Sequence, residues 1–463
     1  MTLDSESRPG TRRTVDAAAF RVAPIHEASR SRLAEAGLDA RLVPADDDAF
    51  SGWLQSVARG FLDSERSDEQ VAAARERSDD RRITGVYDPG APVPDAPVAT
   101  IVSWIGELTV PGGGVVPSCA ISAVTVAPTH RRRGVARAML EGELGAAITA
   151  GVPMAMLTVS ESTLYGRYGF APAAAGASWR IDTKRAAWIG PRPDGRVDFI
   201  PRERLRELIA PLHERVRRRF AGEIDVPAGH WDGIAGTRPD AEKAGEKRAI
   251  QYADASGAVR GLALYTVRQN HDDFIKATVH VAYLVSETDD AYAALWRFLL
   301  ELDLVAEVNA GELSVDEPLL WMIADQRAAT VTLRDHQYVR ILDVPAALEA
   351  RRFGAVGTLA LDVADPLGHV SGRYLLEVDG DGQGSVTPWT SADAPDDAVT
   401  VSLGVEELSA VYLGGVSLAT LAAAGRVRAT AGTEAPASAA SDPAAFAARV
   451  FGWHAVPRLS IWY

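Results

Sequence analysis

The clearest hydrophobic pattern in the chain lies between residues 121 and 159. Residues 121–126 are a β-branched run that predicts a strand, and Pro128 ends it because proline has no amide hydrogen for strand pairing. Residues 154–159 predict a second strand. Between them, apolar residues recur with helical spacing at Val135, Met139, Leu144 and Ile148. The order strand, helix, strand predicts one right-handed βαβ unit.

The pattern before this unit predicts more of the same domain. Residues 41–44, 82–87 and 97–108 read as strands, and residues 111–114, Pro-Gly-Gly-Gly, predict a hairpin loop. An amphipathic helix is predicted from Phe50, Trp53, Leu54, Val57, Phe61 and Leu62. Residues 1–37 show no sustained period, so we expect a flexible leader or a loosely docked arm there.

The pattern restarts near residue 186. A long basic helix is predicted at 202–220, an alternating strand at 278–285 and an amphipathic helix from Asp289. This order resembles that of residues 121–148 and predicts a second, degenerate copy of the unit over residues 186–338. Its loop, residues 286–290, is Ser-Glu-Thr-Asp-Asp and would repel an anion. An unrelated α+β domain stays the alternative.

Residues 339–463 predict a third domain. Strands at 357–363 and 374–378 precede helices at 405–413, 418–424 and 443–451, which is typical of an α+β domain. The last five residues, Leu-Ser-Ile-Trp-Tyr, are too apolar for a disordered tail. We expect this stub, residues 459–463, to dock on the first domain with Ile461 and Trp462 as buried anchors.

Composition narrows the functional classes. The 463 residues are 47% hydrophobic, and their net charge of −14 argues against nucleic-acid binding and favours cationic substrates such as amines. One cysteine and the spacing of nine histidines indicate neither a disulfide framework nor a metal site. No apolar run is long enough to span a membrane, and residues 1–9 lack a signal-peptide core. We therefore expect a cytoplasmic protein with no membrane partner.

The loop between the first strand and helix carries the strongest chemical signal. It reads Arg131-x-x-Gly134-x-Ala136 at a predicted helix start, where free amides and the helix dipole favour an anion. Small residues at 134 and 136 allow close approach to the backbone. The loop lacks the lysine of a P-loop and the Gly-x-Gly-x-x-Gly of dinucleotide sites. It predicts a pyrophosphate site, against the alternative of an arginine-rich surface turn.

Several stretches together resemble a known family. The loop resembles motif A of the GNAT acetyltransferases, which bind the pyrophosphate of acetyl-CoA. The Eis (enhanced intracellular survival) family of N-acetyltransferases is similar over residues 38 to 463. The similar stretches are V-A-P-T-H-R-R-R-G, S-E-x-x-x-Y-G-R-Y-G-F, D-V-P-A-A-L-E-A from Asp343 and L-G-G-V-S-L-A-T-L from Leu413.

The resemblance implies an α/β (α+β) fold class. Two GNAT-like acetyltransferase domains in tandem would be followed by a sterol-carrier-protein-like α+β domain. The implied domains are a flexible leader (1–37), a catalytic domain (38–185), a degenerate domain (186–338) and the sterol-carrier-like domain (339–463). It also implies a homohexamer with acetyl-CoA as co-substrate and no metal. The implied acceptors are aminoglycoside-like polyamines or lysine side chains.

The resemblance also places site residues. The general acid falls on Tyr165 and the general base on the terminal carboxylate of Tyr463, with substrate contacts at Asp63 and Trp462. Relatives often carry an acid where Trp462 stands, which weakens the case for tight binding of polycationic aminoglycosides. The implied CoA contacts are Val124, Thr125, Val126, Arg132, Arg133, Gly134, Val135, Ala136, Arg137, Ser160 and Glu161.

These roles suit acetyl transfer. A carboxylate can take the proton of the attacking ammonium, a phenol can protonate the leaving thiolate, and amides near Val124 can bind the oxyanion. Tyr168 is a competing phenol, and either tyrosine could be core packing alone. Two other functions stay open: a hydrophobic-ligand module in the third domain, and a non-catalytic acyl-CoA sensor.

Overall fold

The computed structural model describes residues 15–463, apart from residues 239, 242 and 392. Two sheets organise these residues. A 12-stranded sheet runs through residues 39–341, and a 5-stranded sheet forms a separate C-terminal domain. The expected order of two α/β halves followed by an α+β domain is confirmed.

The first half covers residues 17–182. Its elements in chain order are α1 (Ala17–Val22), α2 (Glu27–Glu35), β1 (Asp39–Leu42), α3 (Ala49–Gly60), α4 (Asp68–Glu76), β2 (Arg82–Tyr87), β3 (Ala99–Thr109), β4 (Val115–Val126), α5 (Val135–Thr149), β5 (Met154–Thr158), α6 (Ser162–Tyr165) and β6 (Ala171–Asp182). The predicted βαβ unit is β4–α5–β5, and β4 and β5 pair in parallel.

The second half covers residues 196–341. Its elements are β7 (Arg196–Ile200), α7 (Arg202–Arg217), α8 (Ala228–Ala235), β8 (Arg248–Ala253), β9 (Val259–Arg268), β10 (Ala277–Ser286), α9 (Asp289–Leu300), β11 (Val305–Leu313) and β12 (Ala329–Ile341). The pair β10 and β11 is again parallel around α9, which reproduces the βαβ unit of the first half.

The C-terminal domain covers residues 344–451. Its elements are α10 (Val344–Ala350), β13 (Gly357–Ala364), β14 (Gly372–Val378), β15 (Gly384–Pro388), β16 (Val399–Gly404), α11 (Val405–Val411), α12 (Leu418–Ala423), β17 (Arg428–Ala431), α13 (Ala437–Ser441) and α14 (Pro443–Phe451). The expected boundary at residue 339 falls inside β12, which continues to Ile341 because its end pairs with β5.

The two halves share their central strands. The sheet order is β1-β2-β3-β4-β5-β12-β6-β11-β10-β9-β8-β7. Strand β12 of the second half therefore lies between β5 and β6 of the first, while β6 pairs onward with β11. This exchange makes one continuous sheet and brings residues of both halves to the end of β5.

The expectation of a flexible leader is wrong for its second part. Residues 15–37 contain α1 and α2, and Phe20 and Leu33 are 1% and 3% exposed. The buried guanidinium of Arg82 bonds main-chain oxygens at Phe20 and Pro24, at 3.4 and 3.3 Å. Two buried side chains are too few to show a sequence period, although they suffice to dock the arm. Residues 1–14 lie outside the described part.

Candidate active site

The predicted pyrophosphate loop lies at the start of α5. Gly134 is the residue before the helix and has a φ of 77°, and a Cβ placed on it would meet nothing within 4 Å. The space in front of the first turn is therefore open. Val135, Ala136 and Arg137 form that turn, whose amides have no intrahelical partner. An open, amide-lined helix start fits a pyrophosphate.

The arginines of this loop differ in what they contact. Arg133 Nη2 donates to Ala36 O at 3.0 Å, and Arg137 Nε lies 2.6 Å from Glu141 Oε1. Arg131 and Arg132 are exposed, and neither forms an ion pair with any other residue that the structure describes. Two of the side chains thus shape the loop, while the other two leave their charge available to a ligand.

Strands β4 and β5 separate beside this loop. The two strands pair only at residues 118–120 of β4, although β4 continues to Val126. Ala123 has a φ of 50°, and the pairing of β4 with β3 shifts register beside it. Such a bulge bends the strand. Val124, Thr125 and Val126, the predicted CoA contacts, therefore lie where the strands have parted.

The two candidate phenols have different surroundings. Tyr165 ends α6 and is 8% exposed; burial and then the charge of Glu161 raise its pKa to about 12. Burial also raises the pKa of Tyr168, whose charged neighbours are Glu141 and Arg137 on α5. Tyr165 thus belongs to the end of β5, where Ser160 and Glu161 are exposed, and Tyr168 faces α5.

The C-terminal residue lies at the same end of β5. Thr158, the last residue of β5, donates from Oγ1 to Tyr463 O at 2.8 Å. The Tyr463 ring packs edge-on against Trp104 of β3, with ring centroids 5.6 Å apart. The main-chain oxygen of Tyr463 therefore lies beyond the residues at which β4 and β5 pair.

The second half of the sheet holds the stub in place. The buried carboxylate of Glu223 lies 3.1 Å from Arg458 Nε and accepts from Ser460 Oγ at 3.0 Å. His336 Nε2 on β12 lies 3.0 Å from Ile461 O. These contacts hold the stub at Ser460 and Ile461 and the residue before it, Arg458, and so fix the position of the Tyr463 main chain.

The expectation that Trp462 is a buried anchor is wrong. Its side chain is 43% exposed and lies over His336, with ring centroids 5.5 Å apart. Successive side chains of an extended stub point to opposite sides. Leu459, Ile461 and Tyr463 therefore face inward and Trp462 faces out. The buried anchors are Leu459 and Ile461, together with the Tyr463 ring.

A cleft of about 480 Å³ opens beside Tyr463. Both halves of the chain line it. The first half contributes Trp53, Trp104 and two arginines, Arg77 and Arg81; the second contributes His230 and Arg238. No pattern in the sequence indicates the roles of these three arginines. Arginines recur between residues 75 and 82, but the interleaved acids made that run look like an ordinary charged surface.

Asp63, the predicted acidic substrate contact, lies just after α3. Its carboxylate pairs with Arg66 at 2.7 Å. It is not among the residues that line the cleft. The structure therefore brings Tyr165 and Tyr463 to the same end of β5, and it does not bring Asp63 to the cleft beside Tyr463.

The corresponding loop of the second half is closed by its own contacts. Thr288 caps α9 by accepting from Ala291 N at 3.2 Å. Glu287 pairs with Arg215 at 3.0 Å and with Arg260 at 3.1 Å. Asp289 and Asp290 occupy the first turn of α9. The helix start that corresponds to the predicted pyrophosphate loop is thus occupied by acidic residues of the protein here.

Two absences bear on the class of site. Over residues 15–463, without 239, 242 and 392, no cluster of histidine, cysteine, aspartate or glutamate could hold a metal ion. In the same residues no helix combines the length and apolar character that a bilayer-spanning segment needs.

Family models match all three parts of the chain. Models described as acetyltransferase (GNAT) domains match residues 41–173 and 222–341, and a sterol carrier protein domain matches residues 344–451. The second match excludes the alternative of an unrelated α+β domain in the middle of the chain.

Whole-chain relatives agree with this order. An uncharacterized N-acetyltransferase of Streptomyces avermitilis is 38% identical over 394 residues, 83% of this chain and 91% of that one. N-acetyltransferase Eis of Mycobacterium tuberculosis is 35% identical over 336 residues, 70% of this chain and 77% of that one. The crystal structure of Eis1 from Mycobacterium abscessus, 26% identical, matches with a TM-score of 0.73 over 92% of this chain and 100% of its own. Since sequence, domain order and fold all agree, the chain belongs to the Eis family of GNAT N-acetyltransferases.

Proposed function

We propose that the protein transfers the acetyl group of acetyl-CoA directly to a primary amine, with the Tyr463 carboxylate as general base and Tyr165 as general acid. One observation carries this proposal. Thr158 donates from Oγ1 to the main-chain oxygen of Tyr463 at 2.8 Å, beyond the residues at which β4 and β5 pair. A base fixed at that gap can meet an amine that enters from the cleft.

The loop before α5 suits the co-substrate. Acetyl-CoA, when bound, supplies an acetyl group activated as a thioester. Its pyrophosphate would lie against the amides of residues 134–137, with Arg131 and Arg132 adding charge. Residues 124–126 would receive the pantetheine arm, and Ser160 and Glu161 would lie at its thioester end. Amides of the parted β4 would face the charge that develops on the thioester oxygen.

Proton transfer then requires one acceptor and one donor. The Tyr463 carboxylate takes a proton from the ammonium form of the acceptor, which frees the nitrogen lone pair for attack. Tyr165 stays protonated at neutral pH because its pKa is raised to about 12, so it can donate to the departing sulfur. His230 is a weaker candidate base because burial and Arg81 lower its pKa to about 4.

Other expectations remain predictions. They are the aminoglycoside-like and lysine acceptors, the homohexamer and the cytoplasmic location. The charge of the cleft limits which acceptors can bind.

The test is release of free CoA from acetyl-CoA with a panel of amines. Tyr165→Phe should keep the KM for acetyl-CoA and lower kcat by about 10²- to 10⁴-fold, because a proton donor is lost. Tyr168→Phe is the matched control and should change kcat little. If the two variants exchange these results, Tyr168 is the acid; if no amine releases CoA, the proposed function is wrong.

A further inference from the structure

The cleft beside Tyr463 has a charge that does not suit a polycation. Three of its lining residues are arginines, Arg77, Arg81 and Arg238. Among the described residues that line it, none is an aspartate or glutamate. The negative group at its wall is the Tyr463 carboxylate, which the proposed mechanism uses as the base. An acceptor with several ammonium groups would therefore meet guanidinium groups beyond that base.

Arg77 and Arg81 are incompletely paired. Within the part of the chain that the structure describes, the buried Nη1 atoms of both residues have no hydrogen-bond partner. Arg81 lies over the Trp104 ring at 3.5 Å and reaches Asp80 through Nε alone, at 3.2 Å. Burial lowers the pKa of both arginines. A buried guanidinium nitrogen without a partner is costly unless a ligand supplies the acceptor.

The other charged groups around the cleft do not fully cancel the positive charge of its arginines. Arg238 is paired with Asp240, so that pair is neutral as a whole. His230 is uncharged at neutral pH, since its pKa is about 4. Asp225 lies near Arg81, but it accepts from Glu107 N and does not line the cleft. Arg81 is likewise paired with Asp80 at 3.2 Å, so Arg77 carries the net positive charge of the cleft, and the Nη1 atom of Arg81 still lacks a hydrogen-bond partner within the described residues.

The rest of the lining is apolar and aromatic. The lining includes two tryptophans and aliphatic side chains from β2, β3, α8 and the stub. These residues are Trp53, Trp104, Ile83, Val102, Ile234 and Ile461. Such a surface binds an apolar body and leaves the polar groups to set its orientation.

From these observations we infer that the acceptor is an amine that also carries a carboxylate on an apolar body, as a hydrophobic α-amino acid does. The carboxylate would pair with Arg77 and Arg81, whose guanidinium fork matches its two oxygens. The apolar body would lie between the tryptophans, and the amine would face Tyr463. This inference rests on the proposed acetyltransferase function and names its substrate class.

The reaction balances with these groups alone. The amine nitrogen forms a bond to the acetyl carbon while the bond from that carbon to sulfur breaks. One proton of the ammonium goes to the Tyr463 carboxylate and from there to solvent. The sulfur receives a proton from Tyr165, and the second proton that the nitrogen loses restores the Tyr165 phenol. The products are an N-acetyl amino acid and CoA, with no oxidant or reductant required.

The wild-type enzyme provides the first test. We would measure kcat/KM for L-phenylalanine, L-phenylalaninamide and kanamycin with acetyl-CoA saturating. The amide keeps the amine and the ring but lacks the carboxylate, and kanamycin is a polycation. Loss of a charge-assisted pair costs about 10- to 100-fold, so phenylalanine should exceed the amide by at least about 10-fold, and kanamycin should be the poorest.

Variants test the arginines themselves. Arg81→Met and Arg77→Met should raise the KM for phenylalanine and bring its ratio to the amide near one, with no change in the KM for acetyl-CoA. Arg66→Met is the control, because it removes a nearby positive charge outside the lining. Melting temperature should not fall in Arg77→Met, since the side chain replaced carries an unpaired buried charge. A matching rise in the KM for acetyl-CoA would mean that the arginines bind the co-substrate and would overturn the inference.

The two hypotheses fail differently. If the amide or kanamycin is the better acceptor, the inference is wrong while the acetyltransferase function stands. If no amine releases CoA, the proposed function fails and the inference fails with it. The wild-type comparison needs no variant, so a misfolded arginine variant would not remove the test.

Discussion

The position of the Tyr463 carboxylate can be tested by adding one glycine after Tyr463. The extension keeps every side chain, including the ring that packs on Trp104, and moves the terminal charge by about 3.5 Å. Thr158 Oγ1 is 2.8 Å from Tyr463 O in the native chain. After the extension that oxygen belongs to an amide carbonyl, and the carboxylate lies one residue further along.

The expected loss follows from the role of a general base. A displaced base loses its contact with the ammonium proton, which costs about 10²- to 10⁴-fold in turnover. The stub is held at Glu223 and His336, upstream of the change, so folding and the co-substrate site should be unaffected. We therefore expect kcat to fall by at least about 100-fold, with the KM for acetyl-CoA and the melting temperature preserved.

Steady-state CoA release gives the kinetic values, and calorimetry gives the melting temperature. Thr158→Val serves as a graded control, because it removes one hydrogen bond to the carboxylate and leaves the charge in place. It should lower kcat by less than the extension does, and Thr158→Ser should restore it. An extended enzyme with undiminished turnover would refute the reasoning, and His230 would become the next candidate base.

Three further changes test other parts of the structure. Gly134→Asp should abolish acetyl-CoA binding, measured by calorimetry, without unfolding the chain, because its carboxylate would occupy the open space before α5. Gly134→Ala carries the same backbone strain without the charge, so it should bind acetyl-CoA better. Equal binding by both variants would contradict the assignment. Titration of the wild type should give one CoA per chain, since acids occupy the start of α9, and two sites would be incompatible with this. Arg340→Ala should lower the free energy of unfolding by about 3–5 kcal/mol in urea denaturation, because it leaves the fully buried Asp365 without its ion-pair partner. A loss below about 1 kcal/mol would show that the pair is dispensable. Arg352→Ala, at the surface, is the control.

The secondary structure around the predicted anion loop was largely predictable because it is local in sequence. Strand, loop and helix lie within residues 115–149, so β-branched runs, Pro128 and helical spacing were enough to place Gly134 at a helix start. The same holds for the acidic loop at residues 286–290. Short-range patterns of this kind fix which backbone amides are left free, and these amides form the proposed anion site.

Features that depend on distant parts of the chain were not predictable. The position of β12 between β5 and β6 is set by pairing between residues 148 to 187 positions apart (Ala329 with Ile181, Ile341 with Met154), and no local pattern encodes it. The cleft combines Arg77 and Arg81 with Arg238 of the other half, and each looks like an ordinary surface charge when read alone. Trp462 was placed wrongly because apolar character alone does not determine which side of an extended segment faces inward.

The second half of the sheet has a structural role, although acidic residues of the protein occupy its own loop. Its Glu223 binds Ser460 of the stub and the preceding Arg458, and its His336 lies beside Ile461. Its α8 supplies one wall of the cleft through His230. The degenerate half therefore positions the proposed base and completes the acceptor site.

The C-terminal domain is tied to the same site from the opposite side. Arg340 on β12 donates to Tyr168 O at 2.8 Å and to Asp365 of the C-terminal domain at 2.7 Å. Gly169 must lack a side chain there, because a Cβ would lie 2.5 Å from Arg340 Nε. One buried arginine thus connects the turn that follows Tyr165 with the domain whose chain ends at Tyr463. Since the proposed acid and base depend on contacts among all three domains, activity should be lost when the domains are separated, even if each one folds.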